Sequence, residues 1–287
     1  SLKSFDSDGF TYGSNAGGNA DGGNYVAWCW DAGTSAGSPK SGATGQTITA
    51  SNSWVNTTSG FEILKYTGTG SNAKVGHNLG AKPDLIIFKR IVGGTENWNT
   101  YHSALGATKL VALNSKGFAA DTDDFQDTEP TNDVFAVGTG TGNNGNGSTY
   151  LALAWTEISG YSAFGKYVGT GSSNFVYTGF RPRWIMIKRS LANSSADGTD
   201  SYSSWGIVDT KRKTYNGQTG IALWANSSEE EGRRGNTTGT TSLDDMEYDI
   251  VSNGFYLDDL GSENNSNTSD YIYAAFAEHP FKTARAR

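Results

Sequence analysis

Three stretches of the chain share one alternation of apolar and small positions: YVAWCWDAG from Tyr25, YLALAWTEI from Tyr150 and YIYAAFAEH from Tyr271. Val26, Leu151 and Ile272 agree in register, followed by Trp28, Leu153 and Ala274, then by Trp30, Trp155 and Phe276. Positions two apart lie on one side of a strand, so each stretch predicts a β-strand with one large-residue face. Cys29, Ala154 and Ala275 fall on the opposite, small-residue face. Upstream of each tyrosine stand DGFTYG from Asp8, DVFAVG from Asp133 and NGFYLD from Asn253, each followed by a Gly-, Asn- and Ser-rich connection. Strand, long loop, strand predicts a hairpin in each copy.

The two later copies match further upstream. FEILKYTGTGSN from Phe61 answers to FGKYVGTGSSN from Phe164, and PDLIIFKR from Pro83 to PRWIMIKR from Pro182. Proline suits the first position of a strand, since it has no N–H to give a ladder. Trp98 then answers to Trp205, and LNS at Leu113 to ANS at Ala225. The pattern predicts an all-β chain with two tandem antiparallel β-sandwich repeats of jelly-roll or lectin-like type, each with about seven or eight short strands. Expected segments are residues 1–33 as the C-terminal hairpin of a truncated preceding repeat, 34–53 as a Gly/Ser/Thr-rich linker or surface-tracking arm, 54–159 as the first sandwich, and 160–287 as the second with a C-terminal tail. A lone hairpin is marginal in water, so residues 1–33 are expected to pair with chain upstream of Ser1, with the next sandwich or with another subunit.

Composition supports strands over helices: 38 Gly, 12% aromatic and 18% charged residues are what many turns between short strands require. Apolar residues are 36% of the chain, but 8 Trp, 14 Tyr and 13 Phe supply enough buried area for a core. A net charge of −7 opposes binding to nucleic acid or anionic lipid. No stretch reaches the roughly 18–20 apolar residues of a membrane helix, and membrane insertion is not expected. The single cysteine excludes an intrachain disulfide, leaving the sheets and neighbouring subunits to supply stability.

Several motifs have a chemical reading and a plainer one. Gly140, Gly142 and Gly145 fit G-x-G-x-x-G, but a strand follows where a phosphate-binding helix is required, so the segment reads as a loop. Asp6 and Asp8, and more densely Asp121, Asp123, Asp124 and Asp127, are weak calcium candidates without a closing bidentate glutamate. Glu157 and Glu278 end equivalent strands; recurrence points to architecture, such as pairing with Lys89 or Lys188, rather than to glycoside hydrolysis. His77, His102 and His279 lack metal-ligand spacing, no G-x-S-x-G elbow occurs, and Cys29 reads as a buried small hydrophobe. Sequons at Asn56, Asn193 and Asn236 matter only in a glycosylating pathway. Trp98, Tyr101, Trp205, Tyr215 and Trp224 lie in the variable middle of the repeats and are the candidate glycan-stacking residues, against core or interface packing as the plainer role. No catalytic residue, cofactor or firm metal site is expected.

The run from the GF strand and Gly/Asn loop, through NTTSGFEILKYTGTGSNAKVGHNLGAKPDLIIFKR and YTGFRPRWIMIKR, to YIYAAFAEHPFKTARAR resembles a repeated β-domain of uncharacterised function in structural proteins of marine and freshwater bacteriophages, notably cyanophages. That domain often stands beside lectin-like modules in tail-fibre-like chains. The resemblance implies a virion protein of the particle surface, in a tail fibre, spike or other appendage. It also implies self-association, with a trimer by analogy, and contact with the host. Alternatives from other classes are a module binding host surface glycans, a polysaccharide depolymerase and a secreted surface-layer protein.

Overall fold

The computed structural model describes residues 2–14, 16–33, 37–117, 119–191, 203–213, 216, 221–228, 231, 233–235, 241–243, 247–257 and 264–280. The chain is nearly all β, with 42% in strands and 3% in helix. It divides into a small unit, Ser1–Asp31, and a large one, Ala32–Arg287.

In the small unit β1 (Leu2–Asp6) pairs antiparallel with β2 (Gly9–Tyr12), placing Phe5 opposite Phe10. One helical turn, α1 (Ala16–Asn19), follows. Residues 25–31, where a strand was expected, lie in neither helix nor strand, and Cys29 is exposed rather than buried.

The large unit opens its first repeat with β3 (Asn52–Asn56), β4 (Phe61–Thr67), β5 (Ala73–Gly76), β6 (Leu85–Val92), β7 (Asn99–His102), β8 (Lys109–Ala112) and β9 (Ala120–Asp121). It closes with β10 (Val134–Val137), the turn α2 (Thr141–Asn144) and β11 (Thr149–Trp155). The second repeat has β12 (Ser162–Val168), β13 (Asn174–Tyr177), β14 (Pro182–Leu191), β15 (Trp205–Asp209), β16 (Leu223–Trp224), β17 (Arg233–Gly235), β18 (Thr241–Leu243), β19 (Tyr248–Val251), β20 (Gly254–Leu257) and β21 (Asp270–Ala277).

The larger sheet of the first repeat runs β3-β4-β11-β6-β7-β8-β9, and that of the second β12-β21-β14-β15-β16. The order β4-β11-β6-β7-β8 is thus repeated strand for strand. Opposite them lie β10-β5 in the first repeat and β13-β20-β19 in the second, while β17 and β18 form a separate pair. Each repeat has its own core. Leu64, Tyr66, Phe88 and Tyr150 meet Val75 and Phe135 in one. Ile185, Ile187 and Tyr271 meet Val176, Phe255 and Leu257 in the other.

Two expectations are corrected. The two strands flanking the Gly/Asn loop form no hairpin: β10 pairs with β5, whereas β11 sits between β4 and β6, so the loop arches from one sheet to the other. Ala152 and Ala154 consequently face the core of their own repeat, where the aromatic rings of the opposite sheet leave room only for small side chains. The segment expected as a linker or surface-tracking arm runs along the first repeat as a strap rather than as a free linker. Gly37 bridges to Ser53, Ile48 bridges to Val75, and the alternation Thr47-Ile48-Thr49-Ala50 puts Ile48 and Ala50 into the first core.

The outward faces of the two large sheets meet. Trp205 Nε1 donates to Ala112 O at 2.9 Å, Lys188 Nζ to Lys116 O at 3.0 Å, and Ala119 N to Ser190 O at 2.9 Å. Ile272, Ala274 and Phe276 point away from their own core and are nevertheless buried.

Candidate functional site

Each repeat is closed by the same lock between two loops. In the first, Tyr66 Oη donates to Asn143 O at 2.6 Å, Asn144 Oδ1 accepts from Thr69 N at 2.8 Å, and Asn144 Nδ2 donates to Ser71 O at 2.6 Å. In the second, Tyr167 Oη donates to Asn264 O, Asn265 Oδ1 accepts from Thr170 N at 3.0 Å, and Asn265 Nδ2 donates to Ser172 O at 2.6 Å. The tyrosine rings stack on Tyr150 and Tyr271, with centroids 5.4 Å and 5.0 Å apart. The glycines of the two G-T-G turns are required by contact: a Cβ on Gly68 would stand 2.5 Å from Gly145 O, and one on Gly169 2.1 Å from Ser266 O. The fingerprint glycines belong to this lock: Gly140 and Gly145 flank a turn of four residues, Gly142 lies within it, and a strand follows.

Buried titratable groups hold elements together. Ser53 Oγ donates to Glu62 Oε1 and Asn78 N to Glu62 Oε2, both at 2.7 Å. Asn78 Nδ2 reaches Ser38 O at 3.1 Å, so the carboxyl anchors the strap. Burial raises the Glu62 pKa to about 7 against the opposing pull of these hydrogen bonds. His77 and His102 are pushed down to about 4 by burial. The Tyr101 hydroxyl is raised by burial and donates to Glu129 Oε2 at 2.7 Å. Burial acts against ionisation of Glu129, but hydrogen bonds from Lys82, Tyr101 and Ala107 N outweigh it and hold the carboxyl below its ordinary range.

The candidate aromatics separate by exposure. Tyr101, Trp205 and Trp224 are 1%, 1% and 7% exposed, which is packing rather than a free stacking face. Tyr215 lies outside the described residues, as do Asn193 and Asn236. Trp98 is 37% exposed. It lines a cleft of about 240 Å3 with Leu113, Asn114 and Ala225, and Lys89 Nζ stands 5.2 Å from its ring centroid. Typical ligand pockets are roughly 300–1,000 Å3, so only a small or partly protruding group fits here.

The structure confirms that Trp98 and Trp205 are equivalent. Trp98 N donates to Asn114 Oδ1 at 2.8 Å, and Trp205 N donates to Asn226 Oδ1 at 2.7 Å. The difference is cover, since Trp205 lies beneath Ala112 of the other repeat and Trp98 faces the cleft.

Other expectations fall out as follows. Glu278 pairs with Arg181 at 2.7 Å, and Glu157 accepts from Phe164 N at 3.3 Å, so neither takes the lysine partner expected for it. Lys188 instead donates to Lys116 O and Ser203 O. Asp124 accepts from Thr122 Oγ1 at 2.9 Å, and the Asp121 side chain lies outside the description. Among the described residues no three His, Cys, Asp or Glu side chains converge on a metal position, and no helix is long and apolar enough to cross a membrane.

The model of one protein family matches residues 1–280. The chain belongs to that family, described as a domain of unknown function, DUF7483. No curated protein matches the sequence. Among solved structures, the major capsid protein P2 from Bacteriophage PM2 is similar over 77% of this chain and 100% of its own length, at 10% identity and a TM-score of 0.23, too slight a likeness to carry an argument. Sequence reasoning found the aromatic positions but missed the Asn144/Asn265 lock, although N-N-x-N-x-S-x-Y before Tyr150 and Tyr271 carried the signal.

Proposed function

We propose that this DUF7483 chain is a structural protein of a bacteriophage virion, located at the particle surface in a tail fibre, spike or comparable appendage. One observation carries the reading: the strand order β4-β11-β6-β7-β8 is built twice in tandem, with the polar groups between the copies spent on joining them. Rigid repeats in series set length and present loops outward, and the resemblance to phage structural proteins supplies the setting. In this reading the chain is not an enzyme, associates with itself or other virion subunits, and is trimeric if it follows the usual fibre state. Immunogold electron microscopy of purified particles, with antibody raised against the chain, tests it. Gold on an appendage is expected; particles that carry none, while lysates contain the protein, would overturn it.

A second reading has its own observation, the exposed Trp98 at its cleft. An indole face stacks on a sugar ring, so the surface is a candidate for host glycans. Glycan-array binding that survives Trp98→Ala would remove this site from consideration.

A further inference from the structure

Residues 37–56 close one side of the first sandwich. β3 pairs with β4, and the strap lies along β5, where Lys74 O accepts from Thr47 N at 3.0 Å and Ile48 N at 2.9 Å, and Gly76 N donates to Ile48 O at 3.2 Å. The second sandwich has no such segment before it, because only residues 156–161 separate β11 from β12. On the same side of that sandwich, β12 and β13 are edge strands.

The two edges are finished differently. On β12, Glu157 Oε2 accepts from Phe164 N at 3.3 Å, Asn174 Nδ2 donates to Val168 O at 2.9 Å, and Lys166 is exposed. Capped ladder groups and an edge lysine protect a strand against pairing with another chain. β13 has neither protection. Thr178 N donates to Asn253 O at 3.0 Å, so Asn174, Val176 and Thr178 face β20, and the ladder groups of Phe175 and Tyr177 turn to the other edge. In the first repeat these two positions are Lys74 and Gly76, the residues that bond to the strap. Among the described residues no strand pairs with this edge of β13, and Tyr273 Oη reaches Tyr177 O at 3.4 Å. No charged residue occurs from Tyr167 to Phe180, and the ladder with β20 has no bulge. Phe175 is 40% and Tyr177 65% exposed, and the Tyr256 ring lies 4.9 Å from that of Phe175.

We propose that β13 is a self-association edge, pairing antiparallel with β13 of a second copy about a two-fold axis at Val176. The register is self-complementary. Phe175 of each copy stands opposite Tyr177 of the other, each pair exchanges both of its N–H···O bonds, and the two small sheets become one continuous sheet. The exposed rings then meet as cross-strand aromatic pairs on the outer face. A second copy supplies the matching ladder groups and a ring for each ring, and brings no charge to an uncharged edge. Rings of about 150–250 Å2, roughly half exposed, make this contact small beside the ~1,000 Å2 of a specific interface. The dimer is therefore weak and concentration-dependent, with a Kd of about 10–100 μM. The inference does not rest on the virion assignment, and a two-fold pair is distinct from a fibre trimer.

Sedimentation equilibrium of the full chain, from about 1 to 200 μM, tests the proposal with two double variants at these solvent-facing positions. Phe175→Lys/Tyr177→Lys sets like charges opposite each other in this register and is expected to weaken association by about 100-fold. Phe175→Lys/Tyr177→Glu sets opposite charges across the same axis and is expected to recover about 10-fold of that loss. Hydrogen exchange at Phe175 N and Tyr177 N is expected to slow with rising concentration in the wild type and to be unchanged by it in the first variant. A wild-type mass of one chain throughout the range, a stoichiometry of three, or equal association of the two double variants would overturn the proposal.

Discussion

His102 has a proton inventory that is already complete. Ala104 N donates to its Nδ1 and its Nε2 donates to Tyr273 O, both at 3.1 Å, so the neutral ring uses one acceptor and one donor. A second proton would set Nδ1–H against an N–H. His77 Nε2 likewise donates to Thr131 O inside the first core. Both rings have folded pKa values near 4 against 6.5 unfolded. Protons therefore load onto the unfolded chain first as pH falls from about 6.5 to 4, and about 3 kcal/mol of stability is lost per histidine. Glu62 acts with the opposite sign. Its folded pKa of about 7 exceeds the unfolded 4.5, so stability is lost as pH rises through that window, by a similar amount. Glu62→Gln is expected to stabilise the chain by about 2–3 kcal/mol at pH 8 and to leave a steeper acid loss below pH 6.5. Urea unfolding at pH 8, 6 and 4.5 measures both; equal midpoints for wild type and variant at pH 8 would refute it. Trp205 and Trp98 form a second residue-scale pair. Trp205→Ala, which empties a buried site and orphans Ala112 O, is expected to cost about 3–5 kcal/mol, and Trp98→Ala under about 1 kcal/mol at its exposed position. Denaturant melts of the two variants check the contrast.

The lock is the smallest element that defines the repeat, and its energy is concentrated in few atoms. Gly68→Ala forces a Cβ to within 2.5 Å of Gly145 O, where only backbone can yield. A loss of about 1–3 kcal/mol is expected from such overpacking, against less than 1 kcal/mol for Ser71→Ala, which keeps the accepting backbone oxygen. Hydrogen exchange at Thr69 N is the readout, rising in the first variant and unchanged in the second. Much of this was legible in the sequence: Y-T-G-T-G-S against Y-V-G-T-G-S, Lys89 against Lys188 and Trp98 against Trp205 are aligned correctly by pattern alone. The pairing of β10 with β5 was not. Alternation reports which side of a strand is apolar, and both candidate sheets offered an apolar side, so adjacency in sequence suggested a hairpin where a long loop in fact changes sheets. The strap was missed for a related reason, since only Ile48 and Ala50 in a Gly/Ser/Thr run mark burial. The cover over Trp205 could not be read locally, because the neighbour that supplies it is some 90 residues away in sequence.

At the scale of the large unit, the seam decides whether two similar sandwiches behave as two bodies or one. Apolar outward faces are a liability in an isolated sheet, and here Ile272, Ala274, Phe276 and Trp184 are all removed from water. Burial of the three large side chains among them outweighs the polar bonds beside them, at about 1.5–3 kcal/mol for each. The bonds from Trp205, Lys188 and His102 add registration, because each ties a buried polar group of one repeat to a backbone oxygen of the other. Such a seam couples the repeats, as nearest-neighbour contacts do in repeat proteins. A single calorimetric transition is therefore expected for Ala32–Arg287 near neutral pH. The double variant His102→Ala/Trp205→Ala loosens the shared face without touching either lock, and is expected to split that transition into two, the second repeat melting first because its large sheet relies more on the seam for cover. Two transitions already present in the wild-type scan would mean that the contact is too weak to couple the sandwiches. The repeats would then unfold as independent bodies rather than as one cooperative unit.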